Sequence, residues 1–355
     1  MLLSYSFFNF YSFAEEQEVS FVLGKKPAST LYDIPLENGP RINKVTAVIG
    51  ANGSGKTQLL KPLDFVCSFI VYSFLKLSPT DKLNFYPHKM YEQEDSSVEL
   101  RFMMRGKEFK YKLVLNRSKV IYEALYEKNS RSFSYVFIRE SIDSDEPDEY
   151  SIRQKGFGYR KPVGEKVRAN ASLISVAYQH QVPLAKELYE YFSWISSNLS
   201  IAGRMFYDHD RLVKVADVVS QFPEYYEDLS DILCGFDLGL SGISIKQEKL
   251  ITAGGKEETI RMPYGQHSYS NSTFELPFID ESSGTQSAFV LLATLLPVLK
   301  KGGIALIDEI DNDLHPHMLP HILELFKSDH TNPHNAQIIF SCHTSEMMNL
   351  LMKHQ

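Results

Sequence analysis

The sequence has few cysteines and no excess of basic charge. Its three cysteines, Cys67, Cys234 and Cys342, lie far apart and lack the spacing of metal ligands. We expect them to be buried free thiols in a reducing compartment, which predicts a cytoplasmic protein. The net charge of -7 argues against a protein that coats nucleic acid by bulk charge, although a local basic groove stays compatible with it.

Targeting segments, membrane spans and long heptad repeats are lacking as well. Residues Met1–Phe8 have neither a basic segment nor a small-residue cleavage site, so we expect no signal peptide. The apolar run Phe65–Leu77 is too short and too polar at its flanks to predict a membrane span. No heptad pattern extends over several turns, which excludes a long coiled coil. We therefore expect no membrane partner.

One motif organises the chain: Gly50–Thr57 has the pattern G-x-x-x-x-G-K-[ST]. It follows an apolar run, Val45–Ile49, that predicts a buried strand, and a helix is predicted from 56 to 77. Glycines let backbone N–H groups converge on a phosphate, and the helix N-terminus adds partial positive charge. Lys56 is predicted to reach the β- and γ-phosphates and Thr57 to place its hydroxyl on Mg²⁺. The predicted nucleotide contacts are Asn52, Gly53, Ser54, Gly55, Lys56, Thr57 and Gln58.

Apolar strands alternate with helices in the last third of the chain. Ile304–Ile307 and Gln337–Phe340 read as buried strands, with predicted helices before and between them. This alternation predicts a parallel sheet covered on both faces. Asp308, Glu309 and His343 follow the carboxyl ends of the two strands, where such sheets place their ligands.

These three polar residues have separate predicted roles. Asp308 suits Mg²⁺ coordination, and Glu309 suits a general base that orients water for attack on a γ-phosphate. His343 is predicted to sense the γ-phosphate, the alternative being an ordinary loop histidine. Lys56, Glu309 and His343 are accordingly the predicted catalytic residues.

The rest of the chain predicts antiparallel strands and a helical segment. Residues 1–23 predict two antiparallel strands joined through Asn9–Gln17, and residues 25–44 predict a loop. Residues 97–139 alternate as a four-stranded meander. Residues 170–235 predict helices, one of them over Leu184–Asn198, and residues 242–279 return to strands.

Two charged runs lie between the meander and the helices. Glu140–Tyr150 is acidic, and Arg153–Arg168 is basic, with Phe157 and Tyr159 interleaved. Both are predicted to be solvated loops. The alternative for the basic run is a contact for a phosphate backbone or an acidic partner.

The motifs, in their order along the chain, resemble those of ABC-type ATPases of the SMC/RecF kind. The matching segments are a Walker A loop at Gly50–Thr57, a signature-like Ser282–Gln286, a Walker B run at Ile304–Glu309, a D-loop at Asn312–His315, a switch histidine at His343 and an N-F-x-S-F-like start at Asn9–Phe13. The resemblance implies a P-loop NTPase of ABC-ATPase type with a mixed sheet flanked by helices, an antiparallel β subdomain and a helical insert. The implied divisions are 1–96, 97–169, 170–240 and 241–355.

A narrower resemblance is to bacterial AAA-family ATPases of abortive infection, including PtuA-type (Septu) and retron-associated ATPases. It lies in Arg168–Ala177 and Asp280–Gln286. It implies ATP and Mg²⁺ as ligands, and a head-to-tail homodimer or higher oligomer bridged by ATP. In that assembly Ser283 and Gly284 complete the partner's site. Gln179 is the candidate Q-loop glutamine and metal ligand, or else an ordinary polar residue.

The sequence therefore predicts an ATP-hydrolysing subunit of an anti-phage system that controls a toxic effector. No nuclease motif is recognisable, so another subunit or a further C-terminal part is expected to carry any nuclease activity. The first alternative is a RecF/SMC-like repair or maintenance ATPase that clamps DNA. The second is a scaffold that binds ATP without turnover.

Overall fold

The computed structural model has an α/β architecture. It describes all residues except 25–27, 37–39, 143–148, 163–166, 206, 237, 252–256, 313, 315–316, 344–350 and 353–354. The strands are β1 (Leu2–Phe8), β2 (Gln17–Ser20), β3 (Val22–Leu23), β4 (Asp33–Pro35), β5 (Arg41–Asn43), β6 (Val45–Ile49), β7 (Ser96–Met104), β8 (Lys107–Leu115), β9 (Val120–Asn129), β10 (Ser132–Ser141), β11 (Tyr150–Gln154), β12 (Ile195–Ser197), β13 (Leu199–Ser200), β14 (Gly203–Arg204), β15 (Gly242–Ile251), β16 (Glu257–Tyr269), β17 (Ser272–Pro277), β18 (Ile304–Ile307) and β19 (Gln337–Cys342). The helices are α1 (Lys56–Lys76), α2 (Leu173–Gln179), α3 (Pro183–Ser193), α4 (His209–Ser220), α5 (Pro223–Cys234), α6 (Ser283–Lys301) and α7 (Met318–Lys327).

A four-stranded sheet of order β12-β18-β19-β6 carries the predicted motifs, and all its pairs are parallel. Side chains along β18 alternate between two cores, as the period of two in a strand requires. Ile304 and Leu306 join the core that contains α1, α2 and α3, whereas Ala305 and Ile307 join the core of α4 to α7. The predicted parallel sheet with both faces covered is confirmed. Its carboxyl edge gathers the residues that follow β6, β18 and β19.

Seven of the antiparallel strands form a separate sheet of order β11-β10-β9-β8-β7-β1-β2, and the others form smaller sheets, among them β15-β16-β17 within the predicted strand region 242–279. The predicted meander and the predicted N-terminal pair are both present, and β1 joins them by pairing with β7. The β1–β7 pair thus joins residues on both sides of the predicted domain boundary at residue 96. The division of the chain into four domains stays a prediction. The two sheets are tied by Gln337, whose amide contacts the Leu2 N–H at 2.6 Å and the Leu2 carbonyl at 3.1 Å.

A buried ion pair anchors α2 to the antiparallel sheet. The Arg139 and Glu123 side chains are 0% exposed and lie 3.2 Å apart, Nη1 to Oε2. The Glu123 carboxylate also accepts hydrogen bonds from the Tyr111 hydroxyl at 2.9 Å and the Ser172 hydroxyl at 2.7 Å. The Leu173 N–H, in the first turn of α2, donates to it as well. Removing the cation would leave a desolvated carboxylate without its counter-charge.

Arg139→Met is therefore expected to lower the free energy of unfolding by about 3–5 kcal/mol. Urea denaturation measures the change. Arg153→Met is the matched control, because Arg153 lies in the neighbouring strand β11 and pairs with Glu140 while 59% of its side chain is exposed. The control should change stability by less than about 1 kcal/mol. Equal losses in the two variants would contradict the role given to burial.

The structure corrects three predictions of local structure. The predicted helix Leu184–Asn198 ends at Ser193, and Ile195–Ser197 form β12, which pairs in parallel with β18. Residues 25–44 are not all loop, because β4 and β5 pair within them. Strand β6 is less buried than predicted: it lies at the sheet edge, and Ile49 at its end is 38% exposed.

Helix α1 continues from the glycine-rich loop into the core. Within the described residues it is one helix that is long and apolar enough, by length and composition, to cross a membrane, and 61% of its most apolar window is buried inside the fold. The prediction of no membrane span was based on the apolar run Phe65–Leu77 alone. Helix α1 is longer than this run because it begins at Lys56. Its contacts with α2 and α3 are those of a core helix.

Candidate nucleotide-binding site

The loop between β6 and α1 has a backbone that only glycines accommodate easily. Gly55 has φ 95°, in the left-handed region, and a Cβ there would lie 3.3 Å from the Phe13 ring. Gly53, with φ 77°, is in the same left-handed region. The loop therefore curls tightly before α1 begins at Lys56, which directs its free N–H groups to the space in front of the helix.

Lys56 lies at the centre of this loop, and its side chain is largely enclosed. Its ammonium donates to the Gly50 carbonyl at 2.8 Å, to the Ala51 carbonyl at 3.1 Å and to His343 Nδ1 at 3.1 Å. These three acceptors match the three N–H donors of an ammonium group. A phosphate could take the place of any of them, since its oxygens are stronger acceptors for a cation.

Thr57 and Asp308 meet although 251 positions separate them in the chain. The Thr57 hydroxyl donates to Asp308 Oδ2 at 2.7 Å, and the Ser341 hydroxyl donates to Asp308 Oδ1 at 2.5 Å. Hydroxyl and carboxylate oxygens are ligands that Mg²⁺ prefers, and Mg²⁺ commonly takes few protein ligands with water and phosphate completing its shell. No group of three His, Cys, Asp or Glu side chains that could hold a metal ion occurs among the described residues. The pair fits the Mg²⁺ of a nucleotide rather than an all-protein metal cage.

Glu309 is held by several donors at the end of β18. Its φ is 50°, an uncommon value outside glycine, and its N–H donates to the Ser341 hydroxyl at 2.8 Å. Its carboxylate lies 3.2 Å from Arg204 Nε, and accepts from Asn312 Nδ2 at 2.7 Å and from His343 Nε2 at 3.1 Å. The backbone and side-chain contacts together fix the carboxylate at the mouth of the loop.

His343 bridges the two predicted catalytic residues Lys56 and Glu309. Its Nδ1 faces a donor, the Lys56 ammonium, while its Nε2 faces an acceptor, the Glu309 carboxylate. This assigns the proton of a neutral ring to Nε2. The His343 N–H donates to Asp311 Oδ2 at 2.9 Å, which fixes the backbone that carries the ring.

A cavity of about 680 Å³ opens in front of these residues. Its lining consists of Ser12, Asn52, Gly53, Ser54, Gly55, Lys56, Thr57, Gln58, Glu309, Asn312 and His343. The lining combines the Lys56 ammonium with hydroxyl and amide groups, so the cavity fits a phosphorylated ligand.

Ser283 and Gly284 lie in a second cavity, at the N-terminus of α6. This cavity is about 790 Å³ and is also lined by Ser282 and Asn312. Ser282 caps α6, since its hydroxyl accepts from the Thr285 N–H at 3.1 Å. Asn312 thus lines both cavities, whereas Ser283 and Gly284 do not reach the one that contains Lys56.

Gln179 does not lie with the other predicted site residues. It is exposed at the end of α2 and lines neither cavity. The position beside Asp308 is taken by Asn198, which follows β12. Its side chain accepts from the Asp308 N–H at 2.7 Å and donates to the Asp308 carbonyl at 2.9 Å. The geometry gives the Gln179 metal-ligand prediction no support.

Four residues around the site were not singled out from the sequence: Ser12, Asn198, Arg204 and Ser341. Two of them could have been found from the sequence, because Ser341 is in the strand before His343 and Ser12 is in the N-terminal motif. No sequence pattern points to Asn198 or Arg204, because the segment before Asn198 is predicted to be a helix.

The basic run is not wholly the solvated loop predicted for it, because its first two residues lie in β11 and its two aromatic side chains are buried. Phe157 is 1% exposed and Tyr159 is 3% exposed, so neither ring is available to stack on a base. Arg168 donates to the Phe74 carbonyl at 3.0 Å, near the end of α1. In the described part of this run, the interleaved aromatics belong to the core.

Residues 45–349 match the protein family described as "AAA domain, putative AbiEii toxin, Type IV TA system". The chain belongs to this AAA-domain family. The match begins at β6 and extends beyond His343, so every site residue from Asn52 to His343 falls inside it. Together with the loop, the parallel sheet and the two acids after β18, membership confirms the P-loop NTPase fold predicted from the motifs.

Solved structures similar to this AAA-domain protein include SMC heads. The SMC head domain from Thermotoga maritima has 14% identity and a TM-score of 0.43, covering 99% of this chain and 92% of that one. An SMC head bound to the C-winged helix domain of ScpA has 13% identity and a TM-score of 0.46, with 98% and 91% covered. No curated protein sequence matches the chain.

Proposed function

We propose that this AAA-domain protein binds and hydrolyses ATP as a subunit of a bacterial anti-phage system. The observation that carries the proposal is the convergence of Lys56 and Thr57 with Asp308, Glu309 and His343 around one cavity. These are the groups that phosphoryl transfer to water needs: a phosphate-binding cation, magnesium ligands and a base. The Gly50–Gly55 loop supplies the N–H donors around them.

Each residue has a defined task in this proposal. Lys56 gives up its contact with His343 and binds a phosphate oxygen instead. His343 is thereby released when nucleotide binds. Thr57 and Asp308 would hold Mg²⁺, which when bound neutralises charge on the β- and γ-phosphates. Glu309 orients a water molecule and takes its proton. His343, released from Lys56, keeps its Nε2–H on the Glu309 carboxylate and so helps to orient the base.

The active assembly is proposed to be a head-to-tail homodimer. The Ser283–Gly284 segment opens on a different cavity from Lys56, and Ser283 is exposed. A helix N-terminus attracts anions, so the α6 N-terminus of one subunit is suited to the phosphates bound by its partner. Asn312 lines both cavities and would lie next to the interface. Two copies arranged in this way form two composite sites.

The defence role rests on the family and on the sequence motifs. The family description names AbiEii toxin and a type IV toxin–antitoxin system. Arg168–Ala177 and Asp280–Gln286 resemble the ATPases of abortive infection. We propose that the ATP-bridged dimer restrains or releases a partner effector such as a nuclease. PtuA-type and retron-associated systems are the proposed setting.

Phosphate release from Mg-ATP tests the activity, and light scattering with and without ATP tests the dimer. We expect Mg²⁺-dependent turnover that duplex DNA does not stimulate, together with dimers that need ATP. Turnover stimulated by DNA and suppressed by salt would favour the DNA-clamp alternative. ATP binding without any turnover would favour the scaffold. The burial of Phe157 and Tyr159 weighs against the clamp.

Mixing two inactive variants tests whether Ser283 acts on the partner's site. Ser283→Arg should abolish hydrolysis by blocking the partner's nucleotide, and Lys56→Ala should abolish it in its own subunit. A mixed dimer keeps one site intact, because its Lys56 and its Ser283 come from different chains. Phosphate release should recover to roughly a quarter of the wild-type rate, since half of randomly formed dimers are mixed and each has one working site. If Ser283 acts within its own subunit, the mixture stays inactive.

A further inference from the structure

A short hairpin, β13–β14, lies beside the residues that follow β18. It is fixed at its start by Asn198, whose two hydrogen bonds to the backbone of Asp308 are at 2.7 and 2.9 Å. Its turn is fixed by Lys61 of α1, which donates to the Ile201 carbonyl at 3.0 Å. Its last residue, Arg204, contacts Glu309. The hairpin therefore connects the P-loop helix with the acid at the end of β18.

The Arg204 contact is more than a surface ion pair. Arg204 Nε lies 3.2 Å from Glu309 Oε2, and only 10% of the Arg204 side chain is exposed. Partial exclusion of water strengthens the attraction between the charges. The guanidinium is also planar, so it restricts the direction that the carboxylate can take.

We infer that Arg204 is a positioning residue for Glu309, an inference that rests on the proposed function of Glu309 as the general base. Glu309 accepts hydrogen bonds from Asn312 and His343 and forms an ion pair with Arg204. A carboxylate offers about four lone-pair directions. The two hydrogen bonds and the ion pair therefore restrict its orientation and leave a lone-pair direction for the proton of a water molecule. Without Arg204 the carboxylate keeps its negative charge but loses part of this orientation.

The anchor at Lys61 ties this geometry to the nucleotide loop. Lys61 is buried, its ammonium lies 4.8 Å from the centre of the Tyr11 ring, and it is one turn beyond Thr57 on α1. Burial lowers the pKa of Lys61, and the nearby negative charge of Asp308 opposes that shift. The hairpin thus takes its position from the helix whose N-terminus faces the phosphates. Because Arg204 contacts Glu309, the position of the Glu309 carboxylate follows that of the helix that would face the nucleotide.

Arg204→Gln tests the inference, with Arg204→Lys as the conservative variant and Arg153→Gln as the control. Arg153 is exposed in β11 and pairs with Glu140, away from the cavity. We expect kcat for ATP to fall about 10–100-fold in Arg204→Gln, the range seen when a supporting contact of an active-site group is lost. KM and the affinity for a fluorescent ATP analogue should stay within about twofold, because no binding contact is removed. Arg204→Lys should recover part of kcat, and Arg153→Gln should match the wild type.

Two further measurements separate positioning from a structural role. Arg204→Gln should accumulate the ATP-bound dimer in light scattering, as a slow but binding-competent enzyme does. Adding Arg204→Gln to Glu309→Gln should slow turnover no further, because the base is already absent. An additive loss, a parallel fall in ATP affinity or a lower melting temperature would overturn the inference. If Glu309→Gln is slow while Arg204→Gln is normal, this inference alone fails; if Glu309→Gln turns over normally, the proposed function fails with it.

Discussion

Lys56→Ala is expected to weaken ATP binding by at least about 100-fold, or about 2.7 kcal/mol. The ammonium is enclosed by the Gly50 and Ala51 carbonyls and His343, so it approaches a phosphate without first shedding bulk water. Deleting one member of a desolvated charge pair generally costs 2–5 kcal/mol in binding, roughly the range expected here. Titration with a fluorescent ATP analogue measures the loss directly. Phosphate release should fall to background in the same variant.

Lys76→Ala is the control for this substitution. Lys76 is in the last turn of the same helix, is exposed and lies 3.8 Å from the centre of the Tyr72 ring. It tests whether removing any lysine from α1 has the same effect. We expect wild-type affinity for the control. Nucleotide affinity unchanged in Lys56→Ala would show that the loop does not hold phosphates in the way proposed.

The predictable part of the site is the part that motifs encode locally. The loop at Gly50–Thr57, the acids after Ile307 and the histidine after Cys342 each follow an apolar strand. Parallel strands bring their carboxyl ends to one edge, so the meeting of these segments follows from the fold class alone. The sequence therefore predicts that Lys56 and Glu309 share a cavity. It does not predict that His343 bridges them, because that depends on side-chain directions.

The supporting residues could not be predicted, for a physical reason. Leu184, Leu188, Phe192 and Ile195 recur at helical spacing, and the helical pattern continues past the actual end of α3. Pairing with β18 overrides the local pattern at Ile195. Three residues are too few to show a period of two, so β12 has no signature of its own. The positions of Asn198 and Arg204 could not be predicted either, since both residues follow β12 in the chain.

The aromatic residues of the basic run show a different limit. Phe157 and Tyr159 alternate with glycines within a basic run, a pattern that suits nucleic-acid binding and also suits a segment that packs its rings inward. Composition does not reveal which face is buried. Packing against the antiparallel sheet buries the Phe157 ring, which lies 4.7 Å from the ring of buried Phe137 in β10.

Glu309→Gln is expected to separate hydrolysis from binding. The substitution keeps the length of the side chain and an oxygen that can accept from Asn312, and glutamine tolerates the φ of 50° as glutamate does. It removes the ability to take a proton from water. General bases contribute about 10²–10⁴-fold to rate, so kcat should fall by that factor. ATP affinity should change little, because Lys56 and Thr57 are untouched.

The same variant should convert a transient dimer into a stable one. If ATP joins two subunits through Lys56 of one and Ser283 of the other, blocked hydrolysis leaves the bridge in place. Light scattering with Mg-ATP should then show dimers that persist after free ATP is removed. Glu324→Gln is the control, because Glu324 lies on α7, pairs with Lys327 and is 63% exposed. Turnover of Glu309→Gln at the wild-type rate would assign the base to another residue, whereas slow turnover without dimers would keep the base and reject the composite site.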